Sequence, residues 1–209
     1  LTSEGLSVVL DTCVLLSPRV ADVLMDLRAE KLFFAHWTAT IDSEFMRHMP
    51  RLFNATQAQA ASRLMAMKKR CPEWEIELSN ADFTQVPSSV DSGDRHVAAA
   101  AIAVRNLPDS DRNAKVLLVT ENLRDMAPTA MARLGIQVLR PGAFLDELYM
   151  AFSKPTTRAV LRAAGDLKNP PYTVAELLFA LKRQGAKALA AGMAEALQVK
   201  PVKKDKLRA

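Results

Sequence analysis

Leu6-Ser7-Val8-Val9-Leu10-Asp11 is the stretch on which the fold turns. Its first five residues are almost wholly aliphatic, too few for a helix, and they end at a carboxylate. Such a run reads as a strand buried on both faces, the pattern of a parallel sheet. Val116 to Val119 and Ile136 to Leu139 repeat it. Helical patterns lie between these runs. Pro18 to Glu30 carries its proline at the first turn, and Thr38 to Phe53 places Ile41, Phe45, Met49 and Leu52 at helical spacing. Thr56 to Arg70 is a further helix, stopped by Cys71-Pro72. Asp94 to Arg105 is apolar nearly all round and therefore predicted to be a buried helix. Leu32 to Trp37 and Trp74 to Leu78 are short enough to be edge strands. The alternation predicts an α/β fold with a mainly parallel central sheet flanked by helices.

From residue 151 onward no strand pattern remains. Lys154-Pro155 and Asn169-Pro170-Pro171 break the chain, and helical stretches surround Thr173 to Gln184 and Ala186 to Gln198. Residues 1–150 are thus expected to form the α/β domain and residues 151–209 an all-helical extension. Its last ten residues, Lys200 to Ala209, hold five basic side chains and are expected to fray. The net charge of +5 hides a split. Residues 1–150 hold 16 basic and 19 acidic side chains, a balance of −3, whereas residues 151–209 hold 12 and 4, a balance of +8. A basic extension of this kind suits an anionic partner such as nucleic acid.

The 209 residues are 49% hydrophobic and 24% charged, which excludes fibrous and disordered classes. The longest apolar run, Val97 to Val104, falls far short of the roughly 20 residues of a membrane span. Leu-Thr-Ser-Glu at the start lacks the basic and apolar blocks of a secretion signal. Cys13 and Cys71 are the only cysteines, too few for a disulfide framework. A cytoplasmic protein that does not enter the membrane is expected.

The residues that carry chemistry are carboxylates. Asp11 ends the first strand, Asp125 lies just beyond the second, and Asp94 opens the buried helix. Strand carboxyl ends form the ligand crevice of an open α/β sheet, so the three can converge. Crowded carboxylates repel one another unless a cation neutralises them, and hard ions such as Mg²⁺ or Mn²⁺ favour all-oxygen sites. Each residue also has a plain structural use: Asp91 or Ser92 as a helix cap, Asp94 at the positive end of a helix, Asp11 and Asp125 in turns. The helix Thr38 to Phe53 offers a fourth carboxylate in Asp42 or Glu44. Asp42 falls within its apolar arc and Glu44 at the margin beside His48, and periodicity does not separate them. His36, His48 and His96 lack metal-like spacing, with His96 read as helix packing or support for the carboxylates. Cys13 lacks the companion residues of a thiol nucleophile and reads as a small buried side chain. No glycine-rich phosphate loop occurs.

Four blocks together resemble the PIN domain, and more narrowly the VapC-like toxins of bacterial type II toxin–antitoxin pairs. They are Val8-Val9-Leu10-Asp11-Thr12-Cys13-Val14-Leu15, Glu44-Phe45, Asp94-Arg95-His96-Val97-Ala98-Ala99-Ala100, and Val119-Thr120-Glu121-Asn122-Leu123-Arg124-Asp125-Met126. The segment Ile136 to Leu145 resembles the end of that domain, so the likeness covers about residues 6 to 150. Lys168-Asn169-Pro170-Pro171-Tyr172-Thr173 resembles a helical extension found in some of these toxins. The resemblance implies a metal-dependent ribonuclease with Asp11, Glu44, Asp94 and Asp125 as its Mg²⁺- or Mn²⁺-binding acids. It selects Glu44 over Asp42, whose position is usually apolar in the family. It implies supporting or water-orienting roles for Thr120, Asn122 and Asp91. RNA is the implied substrate, a small antitoxin the implied partner, and a homodimer the implied assembly. Two other readings compete. An inactive PIN-like RNA-binding module would typically have lost one of the four acids. A haloacid-dehalogenase-type phosphatase would carry a second Asp where Cys13 stands.

Overall fold

The computed structural model describes residues 5–107, 115–167 and 171–203. Four strands form one sheet: β1 (Ser7–Leu10), β2 (Phe34–His36), β3 (Val116–Val119) and β4 (Ile136–Leu139). Their order is β2-β1-β3-β4 and every pairing is parallel. Val8, Val9, Leu10 and all four residues of β3 are buried, which is why these central strands are aliphatic throughout. The α/β class and the mainly parallel sheet follow as expected. Of the two ambiguous segments, one supplies the edge strand β2. The other makes a single bridge, Trp37 to Glu75, and is not a strand.

α1 (Thr12–Leu15) and α2 (Pro18–Ala29) connect β1 to β2. α3 (Ala39–Phe53), α4 (Gln57–Arg70), α5 (Asn80–Gln85) and α6 (Arg95–Arg105) lead from β2 to β3. α6 packs on β1 and β3 with Val97 to Val104 buried, as its all-round apolar character requires. α7 (Pro128–Arg133) joins β3 to β4. From β1 the chain moves to one side of the sheet and from β3 to the other. The crevice between the carboxyl ends of β1 and β3 is therefore a topological switch point, where α/β sheets bind ligands. One expected core position fails: Leu52, on the apolar stripe of α3, is 63% exposed.

α8 (Pro141–Ala151), α9 (Ser153–Asp166), α10 (Val174–Arg183) and α11 (Lys187–Ala196) complete the described chain, all helical after β4. The hydrophobic core is continuous from the sheet into these helices, through α9 packed on α2. Arg19 Nη2 donates to Tyr172 Oη at 2.7 Å and its guanidinium lies 5.0 Å from the ring centroid, a second seam. Part of the positive charge of residues 151–209 is consumed here. Arg158 and Arg162 each reach Glu30 at 2.6 Å, and Arg162 also lies 3.8 Å from the buried Asp26, which Arg70 holds at 2.6 Å. Lys182, Arg183 and Lys187 remain exposed at the α10–α11 turn.

The helical layer takes in α8 as well as the helices after residue 151. Gly142 lies so close to the α10–α11 turn that a Cβ there would stand 2.3 Å from the Gln184 carbonyl oxygen. Asp146 supplies the cap that α11 lacks, accepting from Lys187 N at 3.1 Å and Leu189 N at 2.8 Å. α8 is thus built into the α10–α11 turn and α11 as well as following the sheet. The basic residues Lys204, Lys206 and Arg208, and the Lys168-Asn169-Pro170 part of the extension motif, fall outside the described residues.

Candidate functional site

Asp11 leaves β1 with its amide donating to Val119 O at 3.1 Å, so the ends of the two central strands are in register. Its carboxylate Oδ2 accepts from Thr120 Oγ1 at 2.6 Å and from Cys13 Sγ at 2.9 Å. Burial first, and then the Asp11 charge, push the Cys13 thiol up to about 12, so it keeps its hydrogen and serves as a donor. The Glu121 amide in turn points at Cys13 Sγ at 3.3 Å, tying the exit of β3 to the turn after β1.

The same hydroxyl of Thr120 accepts from Asn122 N at 2.9 Å. Asn122 Nδ2 donates to Asp94 Oδ2 at 2.7 Å. Cys13, Asp11, Thr120, Asn122 and Asp94 therefore form one hydrogen-bonded chain across the crevice. Asp94 precedes α6 and its side chain makes no cap bond, which leaves the carboxylate facing the other acids. Its pKa is raised, by burial first and then by the negative charges of Asp11, Asp125 and Asp91. Asp91 itself is exposed, and its Oδ1 accepts from Gly93 N at 2.9 Å. Its side chain is spent on the turn before α6, while its amide donates to Asp125 O at 2.9 Å and docks the β3–α7 loop. Asp125 lies half-buried in that loop.

Glu44 and Asp42, left level by periodicity, part company in the fold. Asp42 Oδ1 accepts from Trp37 Nε1 at 2.8 Å and Oδ2 pairs with Lys68 Nζ at 2.5 Å. It is a buried structural acid on the side of α3 that meets Lys68 of α4. Glu44 faces the crevice, where its Oε2 accepts from Thr12 Oγ1 at 2.5 Å. His96 Nε2 lies 3.4 Å from Glu44 Oε1. Thr12 is not among the residues the sequence singles out, and the signal for it is its place beside Asp11 with a hydroxyl at the strand end. His48 makes none of these contacts; His96 does, because α6 carries it in beside Asp94.

A metal centre requires ligating distances as well as suitable donors. Among the described residues, no three His, Cys, Asp or Glu side chains are near enough together to hold a metal ion as they stand. Asp94 responds to the charges of Asp11 and Asp125, but the three do not share a closed coordination sphere. The donor chemistry itself fits a hard divalent cation. It consists of carboxylate oxygens, and a cation would offset the like charges that, after burial, raise the Asp94 pKa.

No helix among the described residues is long and apolar enough to cross a membrane. Comparison with the curated proteins and with the solved structures returns no match. Residues 141–195, beginning at the first residue of α8 and ending within α11, match the family described as the VapC50 C-terminal domain. That stretch is about a quarter of the chain, and it points to the VapC toxins as the proteins to which this one is similar.

Proposed function

We propose that this protein is a metal-dependent endoribonuclease, the toxin of a VapC-type toxin–antitoxin pair. The observation that carries the reading is Asp94, half-buried and crowded by Asp11 and Asp125 at the switch point between β1 and β3. The VapC50 match over residues 141–195 supports the family assignment independently of that site.

Asp11, Glu44, Asp94 and Asp125 would hold Mg²⁺ or Mn²⁺. A bound ion of this kind lowers the pKa of an attacking water and stabilises charge on the phosphate and the leaving oxygen. The protein's own part is orientation. Thr120 and Cys13 both donate to Oδ2 of Asp11, which fixes the carboxylate and would leave its other oxygen for a cation. Asn122 does the same for Asp94, and Thr12 for Glu44. Attack by water rather than by the ribose hydroxyl gives a 5′-phosphate and a 3′-hydroxyl. Exposed Lys182, Arg183 and Lys187 add a positive field for RNA phosphates or for an acidic antitoxin surface.

The test compares wild type with Asp11→Asn, purified and in growing cells. Wild type cleaves RNA with Mg²⁺ or Mn²⁺ and arrests growth when expressed without an antitoxin. Asp11→Asn does neither while keeping its circular dichroism spectrum. Equal cleavage by the two proteins at equal metal overturns the assignment.

A further inference from the structure

Within the metal-dependent reading, on which this inference rests, we propose that His96 is a positioning residue for Glu44, clamping its carboxylate from the side opposite Thr12. His96 Nε2 is buried and makes no hydrogen bond. It lies 3.4 Å from Glu44 Oε1, close but outside good hydrogen-bond geometry. A buried ring nitrogen without a partner is costly, and one aimed at a carboxylate has a single favourable use. The carboxylate offers only lone pairs, so the nitrogen facing it carries the hydrogen; two acceptors face to face would repel.

The other oxygen of Glu44 is already held. Thr12 Oγ1 donates to Oε2 at 2.5 Å from the turn after β1, whereas His96 stands on α6 next to Asp94. Closing the remaining gap would hold Glu44 between the two elements that also carry Asp11 and Asp94. Each carboxylate oxygen has two lone-pair sites, so both donors can bind and still leave sites free for a cation. Hydrogen bonds at a catalytic centre are often long before the site is loaded and tighten when it is. His96 touches neither substrate nor metal in this scheme and acts through Glu44.

Mn²⁺ binding to the full chain, measured by calorimetry, tests this without reference to cleavage. His96→Phe and His96→Met remove the donor while keeping apolar bulk, and His96→Gln restores an N–H. Loss of the donor is expected to weaken Mn²⁺ binding about tenfold, the usual effect of removing a ligand's supporting partner. His96→Gln is expected to recover most of that loss. In a Glu44→Gln background, His96→Phe is expected to change Mn²⁺ binding no further. Wild-type affinity in whichever donor-less variant keeps its thermal midpoint overturns the proposal, as does full additivity in the double variant. If Glu44→Gln alone leaves Mn²⁺ binding unchanged, the ligand set of the proposed function falls, and the role of His96 falls with it.

Discussion

Glu30 and Asp94 are carboxylates in two regions of one molecule with opposite surroundings. Glu30, at the end of α2, sits between Arg158 and Arg162 of α9. The Arg158 hydrogen bond first, and then Arg162, hold its carboxyl below the ordinary value despite the opposing effect of burial. Asp94 feels the charges of Asp11, Asp125 and Asp91, and burial first and then like charge raise it, with His96 opposing. Where the fold only needs two helices joined, each acid receives a base. At the crevice it assembles acids against their mutual repulsion. Under the proposed function, a bound cation would offset that repulsion.

Exchanging the two acids for their amides separates these uses. Asp94→Asn is expected to reduce RNA cleavage by more than about 100-fold, beyond what loss of a merely supporting residue gives; Glu30→Gln should leave cleavage unchanged. Stability against pH should respond in opposite directions in the metal-free protein. Glu30 contributes stability that is present above its ordinary value of 4.5 and lost as pH falls through its depressed one. Asp94 contributes stability that is full below 3.8 and lost as pH rises through its raised value. Thermal midpoints measured across the acid range should show Glu30→Gln flattening the acid-side decline and Asp94→Asn flattening the decline in the other direction. Matching profiles for the two variants would erase the contrast.

The helical layer should be sensitive to volume where the crevice is sensitive to charge. Gly142→Ala places a Cβ against the Gln184, Gly185 and Ala186 backbone, which has no rotamer by which to move aside. A loss of about 2 kcal/mol in denaturant unfolding is expected. Gly165→Ala in α9 is the control. Its Cβ would meet nothing within 4 Å, and alanine favours the helix, so no loss is expected. The smallest effect belongs to Arg158→Gln. Its ion pair with Glu30 is largely solvated on the arginine side, and its removal is expected to cost about 0.5 kcal/mol, less at high salt.

Much of this organisation is legible along the chain. Strand and helix periods are local properties, so β1, β3, β4 and the helices α2, α3, α4 and α6 are expected nearly where they occur. Asp11, Asp94 and Asp125 can be chosen as candidates because their places at strand ends and a helix start follow from those periods. Glu44 is different. On α3 it is indistinguishable from Asp42 until Trp37 and Lys68 are seen to claim Asp42. The edge strand is likewise open in the sequence, because Leu32 to Trp37 and Trp74 to Leu78 have similar local character and only one finds a row of partners on β1.

The sequence by itself determined the α/β class, the carboxylates at the strand ends and the contrast in charge between the two parts of the chain. Each depends on residue type and on spacing within a few turns. Only the tertiary structure decided that Thr12 and His96 flank Glu44, from 32 residues before it and 52 after. It also decided that Arg158 and Arg162 serve α2, and that α8 is wedged against the α10–α11 turn. The physical reason is common to all of them. Each contact depends on distance in space, and no local propensity records which distant group will arrive beside another.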